Sequence, residues 1–192
     1  MHAIKLATLV DLPAIRLLWK TMEAELNVQY PEHTGAYVDQ FTRSVAVSLS
    51  QESPVVFIFL GAVAGSNLPC AMLVYEIQTR QLGEPHRIGF IHYCYTAPSV
   101  RKSGMANALG QMAMEHMAAQ GLSHVEITTA PGSPLWADLG FIPFETRCWA
   151  TVARVTVGLE ERTKRANALR SNGLDPDAVP PPVTDEEQDD AL

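Results

Sequence analysis

The stretch Pro98-Ser-Val-Arg101-Lys-Ser-Gly104-Met-Ala106-Asn-Ala-Leu109 decides the fold of this chain. The apolar and aromatic run 88–95 precedes it and predicts a β-strand, and apolar residues recur at helical spacing over 105–120. A strand that leads through a glycine turn into a helix brings together unpaired backbone N–H groups and the positive end of the helix dipole. We therefore expect a phosphate-binding turn, with Gly104 and Ala106 small enough to let the phosphate approach the backbone.

Two further features stand at characteristic distances from this turn. Pro98 lies three residues before Arg101, and Trp136-Ala-Asp-Leu139-Gly140-Phe141 follows about thirty residues later, with space for one helix and one strand between. Together they resemble the acetyl-coenzyme A signature of the GNAT superfamily of N-acetyltransferases, Arg/Gln-x-x-Gly-x-Gly/Ala, and the aromatic-x-x-Leu-Gly-Phe block of that family. One such motif alone is weak evidence, and the shared order and spacing strengthen it. The resemblance is carried by residues 88–141 and extends to 1–158 through element order only.

The resemblance implies the GNAT fold. This is an α/β (α+β) class with a mixed, mostly antiparallel central sheet of about six or seven strands, flanked by about four helices. Hydrophobic periodicity predicts the element order β-α-α-β-β-β-α-β-α-β. The strands are expected at 2–7, 55–60, 70–79, 87–95, 124–129 and 147–157, with a turn over 61–69. The helices are expected from about residue 11 and at 36–49, 105–120 and 133–139.

Length and composition agree with one domain. The chain has 192 residues, of which 47% are hydrophobic and 18% charged, so it can bury a substantial core. No apolar run approaches the roughly 18 residues of a membrane span, and the first residues lack the apolar region of a signal peptide, which leads us to expect a cytoplasmic protein. The three cysteines, Cys70, Cys94 and Cys148, have no metal-ligand spacing and are expected to be reduced core residues. We expect no metal.

Charge is concentrated at the C-terminal end. Residues 175–192 hold seven of the 21 acidic residues and no Lys or Arg, so residues 1–174 are balanced at 14 acidic and 14 basic. A neutral body does not favour nucleic acid as a partner. The domain is expected at 1–158, followed by a solvated helix at 159–170 and an acidic, proline-containing flexible tail at 171–192. The tail either keeps the protein soluble or contacts a protein partner. A homodimer is a further alternative.

The resemblance implies an N-acetyltransferase that moves an acetyl group from acetyl-CoA to a primary amine of a small molecule or a protein. Acetyl-CoA would be the co-substrate. By position in the family motifs, the residues implied to contact the coenzyme are Tyr95, Thr96, Arg101, Lys102, Ser103, Gly104, Met105, Ala106 and Trp136.

Acetyl transfer requires a neutral amine and a hydrogen-bond donor for the carbonyl oxygen. His92 is our candidate for the general base, because some amine-acetylating relatives carry a His at this place and imidazole titrates near neutral pH. A structural strand histidine is an equal alternative, and Glu126 is a second candidate base. His116 is expected in packing or at the surface, and His124 at the junction between the signature helix and the fifth strand. The oxygen donor is expected to be a backbone N–H where the fourth strand bulges, around Tyr95.

One residue departs from the family pattern. Much of the family has Tyr where this chain has Trp136, and that Tyr serves as the general acid for the thiolate. An indole N–H is not a usable acid at neutral pH. Either Tyr93 or Tyr95 replaces it, or the thiolate leaves unaided, or the site is not catalytic. The alternative function is therefore a catalytically weak or inactive GNAT-fold protein that serves as a binding or structural module in an assembly.

In the family, the first two helices and their connecting loop form a wall of the acceptor site. That resemblance makes Tyr30, His33, Tyr37 and Phe41 candidates for substrate contact. The alternative, core residues plus a solvated loop, is favoured for each of them taken singly.

Overall fold

The computed structural model describes residues 2–29, 36–80, 86–128, 139–144 and 147–173. The strands in these ranges are β1 His2–Leu6, β2 Val56–Val63, β3 Ala71–Arg80, β4 His86–Thr96, β5 His124–Thr128, β6 Ile142–Phe144 and β7 Arg147–Thr151. The α-helices in these ranges are α1 Leu12–Gln29, α2 Ala36–Leu49, α3 Met105–Ala119 and α4 Val152–Ser171. None of these helices combines the length and the apolar character that crossing a lipid bilayer would require.

The described strands form one sheet in the order β1-β2-β3-β4-β5-β7-β6. Strands β1 to β4 form a continuous antiparallel series, and β5, β7 and β6 form another. The two series meet at β4 and β5, which are parallel and are connected through α3. This is the mixed, mostly antiparallel sheet that the sequence predicts, and the fold class is confirmed.

Both faces of the sheet are covered by helices. The apolar run in β2 alternates between them, with Phe57 and Phe59 in the cluster under α3 and α4, and Ile58 and Leu60 in the cluster under α1 and α2. A strand buried on both faces reads as a continuous apolar run, as the sequence predicts for this segment. The α1 residues in the second cluster lie on one side of the helix: Ile15, Leu18, Trp19 and Met22.

Two sequence predictions about strand ends are wrong. Strand β2 continues to Val63, so Gly61–Val63 do not belong to the predicted turn. The strand expected over 147–157 ends at Thr151, and α4 begins at Val152. Thr151 stops the strand because its hydroxyl oxygen accepts a hydrogen bond from the Arg154 N–H at 3.2 Å and so caps the new helix. The short strand β6 was not predicted.

Helix α4 packs along α3. Val152, Val155 and Leu159 are buried in the cluster under both helices, and the side-chain amide of Asn107 donates to the Leu159 carbonyl at 3.2 Å. The expected domain boundary at residue 158 falls inside this continuous helix. The helix predicted at 159–170 is thus the second half of α4.

The expectation for the cysteines is met in part. Cys70 is half-buried and packs against the cluster under α3 and α4, whereas Cys94 is exposed, and both are free thiols. The side chain of Cys148 is outside what the structure describes.

Candidate active site

Strands β4 and β5 pair over a short length in the middle of the sheet. Among the described residues the pairs run from Gly89 with Val125 to Ile91 with Ile127, and β4 continues beside β3 as far as Thr96. The second half of β4 leads to the signature turn, residues 101–106.

The signature turn has the backbone of an anion site. Lys102 and Gly104 both have positive φ, at 62° and 84°, and α3 begins at Met105. The first N–H groups of a helix have no partner within it, so those of α3 are available to a ligand. A Cβ added to Gly104 would find only His2 Nε2 within 4 Å, at 3.9 Å, so there is open space beside the glycine.

Two contacts hold Ser103 in this turn. Its hydroxyl donates to the Val100 carbonyl at 2.7 Å, and its own carbonyl accepts a hydrogen bond from Nε2 of His2 at 2.8 Å. Since His2 lies in β1, the turn is anchored to the edge of the sheet as well as to β4.

The side chain of Arg101 contacts two acceptors within the protein. Its Nε donates to the Thr96 carbonyl at 3.1 Å, and its guanidinium forms an ion pair with Glu25 of α1. The hydroxyl of Tyr95 donates to the same carboxylate at 3.2 Å. The hydrogen bond from Arg101 lowers the pKa of Glu25, whereas burial and the nearby Glu25 charge raise the pKa of Tyr95.

His92 lies in a β-bulge. Tyr75 pairs with Ile91 and Val74 pairs with Tyr93, so His92 has no partner residue in β3. A bulge breaks the alternation of side chains along a strand. As a result, His92 and Tyr93 both project from the face that carries α1 and α2, with their rings 6.2 Å apart. The bulge was expected around Tyr95, and the structure corrects its position to His92.

Glu76 of β3 holds the His92 ring. The Nε2–H of His92 donates to Oε2 of Glu76 at 3.0 Å, and the Gln78 amide donates to the same oxygen at 2.8 Å. Partial burial favours the neutral form of Glu76, but the hydrogen bonds from Gln78 and His92 outweigh it and lower the pKa of this carboxyl group. The carboxylate is therefore ionised at neutral pH, and Nδ1 is left as the basic nitrogen of a neutral His92.

Glu126 has a different environment. Its carboxylate forms an ion pair with Arg80, and the Arg80 guanidinium lies 5.9 Å from the centroid of the Phe90 ring. The ion pair occupies Oε2 of Glu126, whereas no such pair occupies Nδ1 of His92 among the described residues. Within the described ranges, no group of three or more His, Cys, Asp or Glu side chains is arranged to hold a metal ion.

The family follows from a sequence comparison. The family model described as the acetyltransferase (GNAT) family matches residues 15–141. The chain belongs to the GNAT acetyltransferase family. The matched span begins inside α1 and contains the β4 bulge, the paired part of β4 and β5 and the signature turn.

Solved structures share the GNAT fold with this chain at low sequence identity. A predicted acetyltransferase from Clostridium acetobutylicum, solved with acetyl-CoA, has a TM-score of 0.62 at 14% identity and covers 76% of this chain and 92% of its own. A GCN5-related N-acetyltransferase from Ralstonia eutropha JMP134 has a TM-score of 0.60 at 20% identity, covering 76% and 95%. The protein AAC(6')-Iy, bound to the bisubstrate analogue CoA-S-monomethyl-acetylneamine, has a TM-score of 0.55 at 14% identity, covering 72% and 86%. No curated protein matches the chain significantly.

The structure brings most of the residues expected from the GNAT motifs together. Tyr95 and Thr96 end β4, and the turn and helix start 101–106 follow directly. Trp136, Tyr30 and His33 lie outside the described residues. Tyr37 lies in the first turn of α2, and nothing is described of its side chain.

The remaining candidates are held in packing contacts or lie at the start of β5. His116 lies on the opposite face of the sheet, with Nδ1 hydrogen-bonded to the Tyr75 hydroxyl at 2.6 Å, so it is a packing residue as expected. His124 is hydrogen-bonded to the Ser123 hydroxyl at 2.8 Å near the start of β5. Phe41 stacks on Trp19 at 3.5 Å between ring centroids, which places it in the core under α1 and α2.

Sequence reasoning missed Glu25, Glu76 and His2. A signal for Glu76 was present, because Glu76, Gln78 and Arg80 alternate with less polar residues along β3 and so share one face of the strand. Glu25 and His2 gave no such signal, since their partners Arg101 and Ser103 are distant in sequence.

Proposed function

We propose that this protein is an acetyl-CoA-dependent N-acetyltransferase that acts on a primary amine, with His92 as the general base and Glu76 as its positioning residue. One observation carries the proposal. The chain places an imidazole that is hydrogen-bonded to a carboxylate directly after Ile91, the last described residue of β4 that pairs with β5, on the strand that leads to the signature turn. Proton acceptor and coenzyme site thus lie on one continuous stretch of backbone.

His92 takes the proton that the acceptor amine must lose. The amine nitrogen bonds to the acetyl carbon, the bond from that carbon to sulfur breaks, and coenzyme A leaves as the thiolate. Nδ1 of His92 receives the proton directly or through one water molecule. Glu76, 3.0 Å from Nε2, keeps the ring in one tautomer and stabilises the imidazolium that forms.

The signature turn supplies the coenzyme site. The open space beside Gly104 and the N–H groups at the start of α3 fit a diphosphate group. The solved relatives with acetyl-CoA or a coenzyme A bisubstrate analogue support the same use of this fold.

Tyr95 is better suited to a structural role than to proton donation. Its hydroxyl is engaged with Glu25, and its raised pKa makes it a weaker acid than an ordinary tyrosine. We assign Tyr95, Glu25 and Arg101 to holding α1 against the end of β4. No observation on the described residues favours the alternative of a non-catalytic binding module.

The test measures thiol release from acetyl-CoA with a panel of primary amines that includes polyamines, aminoglycosides and peptides with a free N-terminus. Changing His92→Ala should lower turnover by about 10²-fold or more at neutral pH, the range of general-base catalysis, with coenzyme affinity unchanged. His116→Ala is the matched control, because that histidine lies on the other face of the sheet. Equal turnover for wild type and the His92 variant would remove His92 from the mechanism. Absence of coenzyme binding by the wild type at millimolar concentration would refute the enzyme assignment.

A further inference from the structure

The signature turn, which is the proposed phosphate site, has less positive charge available for a ligand than its sequence suggests. Arg101 is the cation of the signature motif, but its guanidinium is paired with Glu25 and bonded to the Thr96 carbonyl. A diphosphate group carries two negative charges at neutral pH, and phosphate binding usually relies on cationic side chains as well as backbone N–H groups. Within the turn itself, Lys102 is the next cation in sequence.

A second cation reaches the turn from α4. Nη2 of Arg170 donates to the Lys102 carbonyl at 3.3 Å. Arg170 is exposed, and it forms no ion pair with any carboxylate of the described residues. A guanidinium has five N–H donors in a fixed plane, so this contact leaves the others available to a further acceptor.

The position of Arg170 is set by the packing of α4 on α3. Thr163 of α4 is hydrogen-bonded to Asn107, and Gln111 donates to the Thr163 hydroxyl at 3.5 Å. Residues three, four or seven apart share one face of a helix, so Leu159, Thr163 and Arg170 all lie on the side that faces α3. Because Asn107 belongs to the first turn of α3, the same contacts direct the end of α4 towards the phosphate turn.

We propose that α4 is part of the coenzyme site and that Arg170 binds a phosphate group of the coenzyme beside the turn. This inference rests on the proposed function, since it takes coenzyme A as the ligand of the turn. It adds a binding residue that lies outside residues 15–141, which the family model matches. Arg101 is paired with Glu25 in this conformation, and Arg170 in the last turn of α4 supplies a positive charge in its place.

The experiment compares Arg170→Ala with Arg165→Ala. Arg165 is an exposed arginine of the same helix on a different face, so both variants lose one charge, and neither should affect folding. We expect the dissociation constant for acetyl-CoA, measured by calorimetry, to rise about tenfold for Arg170→Ala and less than twofold for Arg165→Ala. The Michaelis constant for acetyl-CoA should rise with it, while kcat and the unfolding temperature stay unchanged.

Dephospho-coenzyme A locates the contact. A loss of affinity that Arg170→Ala shows with this analogue as well assigns Arg170 to the diphosphate, and a loss confined to the intact coenzyme assigns it to the 3′-phosphate. Equal losses for the two arginine variants, or no loss in either, would overturn the proposal. If the wild type binds coenzyme and Arg170→Ala binds it equally well, only this inference fails. If the wild type binds none, the proposed function fails with it.

Discussion

The hydrogen bond between Glu76 and His92 predicts the effect of a single charge on catalysis. Glu76→Gln keeps the size and shape of the side chain and removes its negative charge. The two side chains are each about one third exposed, at 31% for Glu76 and 32% for His92, so solvent weakens their attraction. We therefore take the low end of the 1.5–3 kcal/mol that a hydrogen bond to a charged group contributes.

A loss of about 1.5 kcal/mol in transition-state stabilisation corresponds to a kcat/KM that is lower by slightly more than tenfold, because each 1.36 kcal/mol changes a rate about tenfold. Glu76→Gln should thus be less harmful than His92→Ala.

The assay is kcat/KM for the preferred amine at neutral pH, on variants that unfold at the wild-type temperature. Glu160→Gln is the matched control, because Glu160 is an exposed carboxylate on α4, away from the sheet face that carries His92. An equal fall in kcat/KM when Glu76→Gln is added to His92→Ala would mean that Glu76 supports the fold and not the base. An unchanged rate would refute the role of Glu76 altogether.

Two further predictions concern the signature turn and the core. Gly104→Glu should abolish coenzyme binding. The control is Gly65→Glu in the turn between β2 and β3, which adds the same charge at a similar positive φ, 86° against 84°, and should therefore cost similar stability and leave binding intact. Equal binding by both variants in calorimetry would count against the signature turn as the binding site. Burial lowers the pKa of His116, so the folded state resists its protonation, and the unfolding free energy should fall as the pH drops from about 7.5 through 6.5 towards 5. His116→Gln should flatten that dependence in urea titrations, and a slope equal to that of the wild type would assign it to other groups.

The sequence by itself determined the local elements. The signature turn could be predicted because its strand, glycine and helix are consecutive in the sequence. Gly104 has a positive φ, which glycine adopts more easily than any other residue. The burial of β2 on both faces could be predicted because an apolar run without alternation is typical of a strand whose two faces are both covered. The buried side of α1 followed in the same way from the spacing of its apolar residues.

The local strand preference of residues 151–157 predicts the wrong secondary structure. The run Thr151-Val-Ala-Arg-Val-Thr-Val is rich in β-branched residues and predicts a strand. It is a helix because Thr151 caps it and because Val152, Val155 and Leu159 bury their side chains against α3. The free energy of that packing exceeds the small helix penalty of β-branched residues.

The chemistry of the site was decided by the tertiary structure. Glu76 and His92 are 16 residues apart and meet only because β3 and β4 pair in a register that leaves His92 in a bulge. Arg170 and Lys102 are 68 residues apart and meet only because α4 packs on α3. Local periodicity specifies which face of an element is buried, whereas the register between strands and the packing of one helix on another depend on every contact made along them. For this reason the sequence is enough to place His92 and the signature turn within local elements, and only the folded chain supplies their contacts with Glu76 and Arg170.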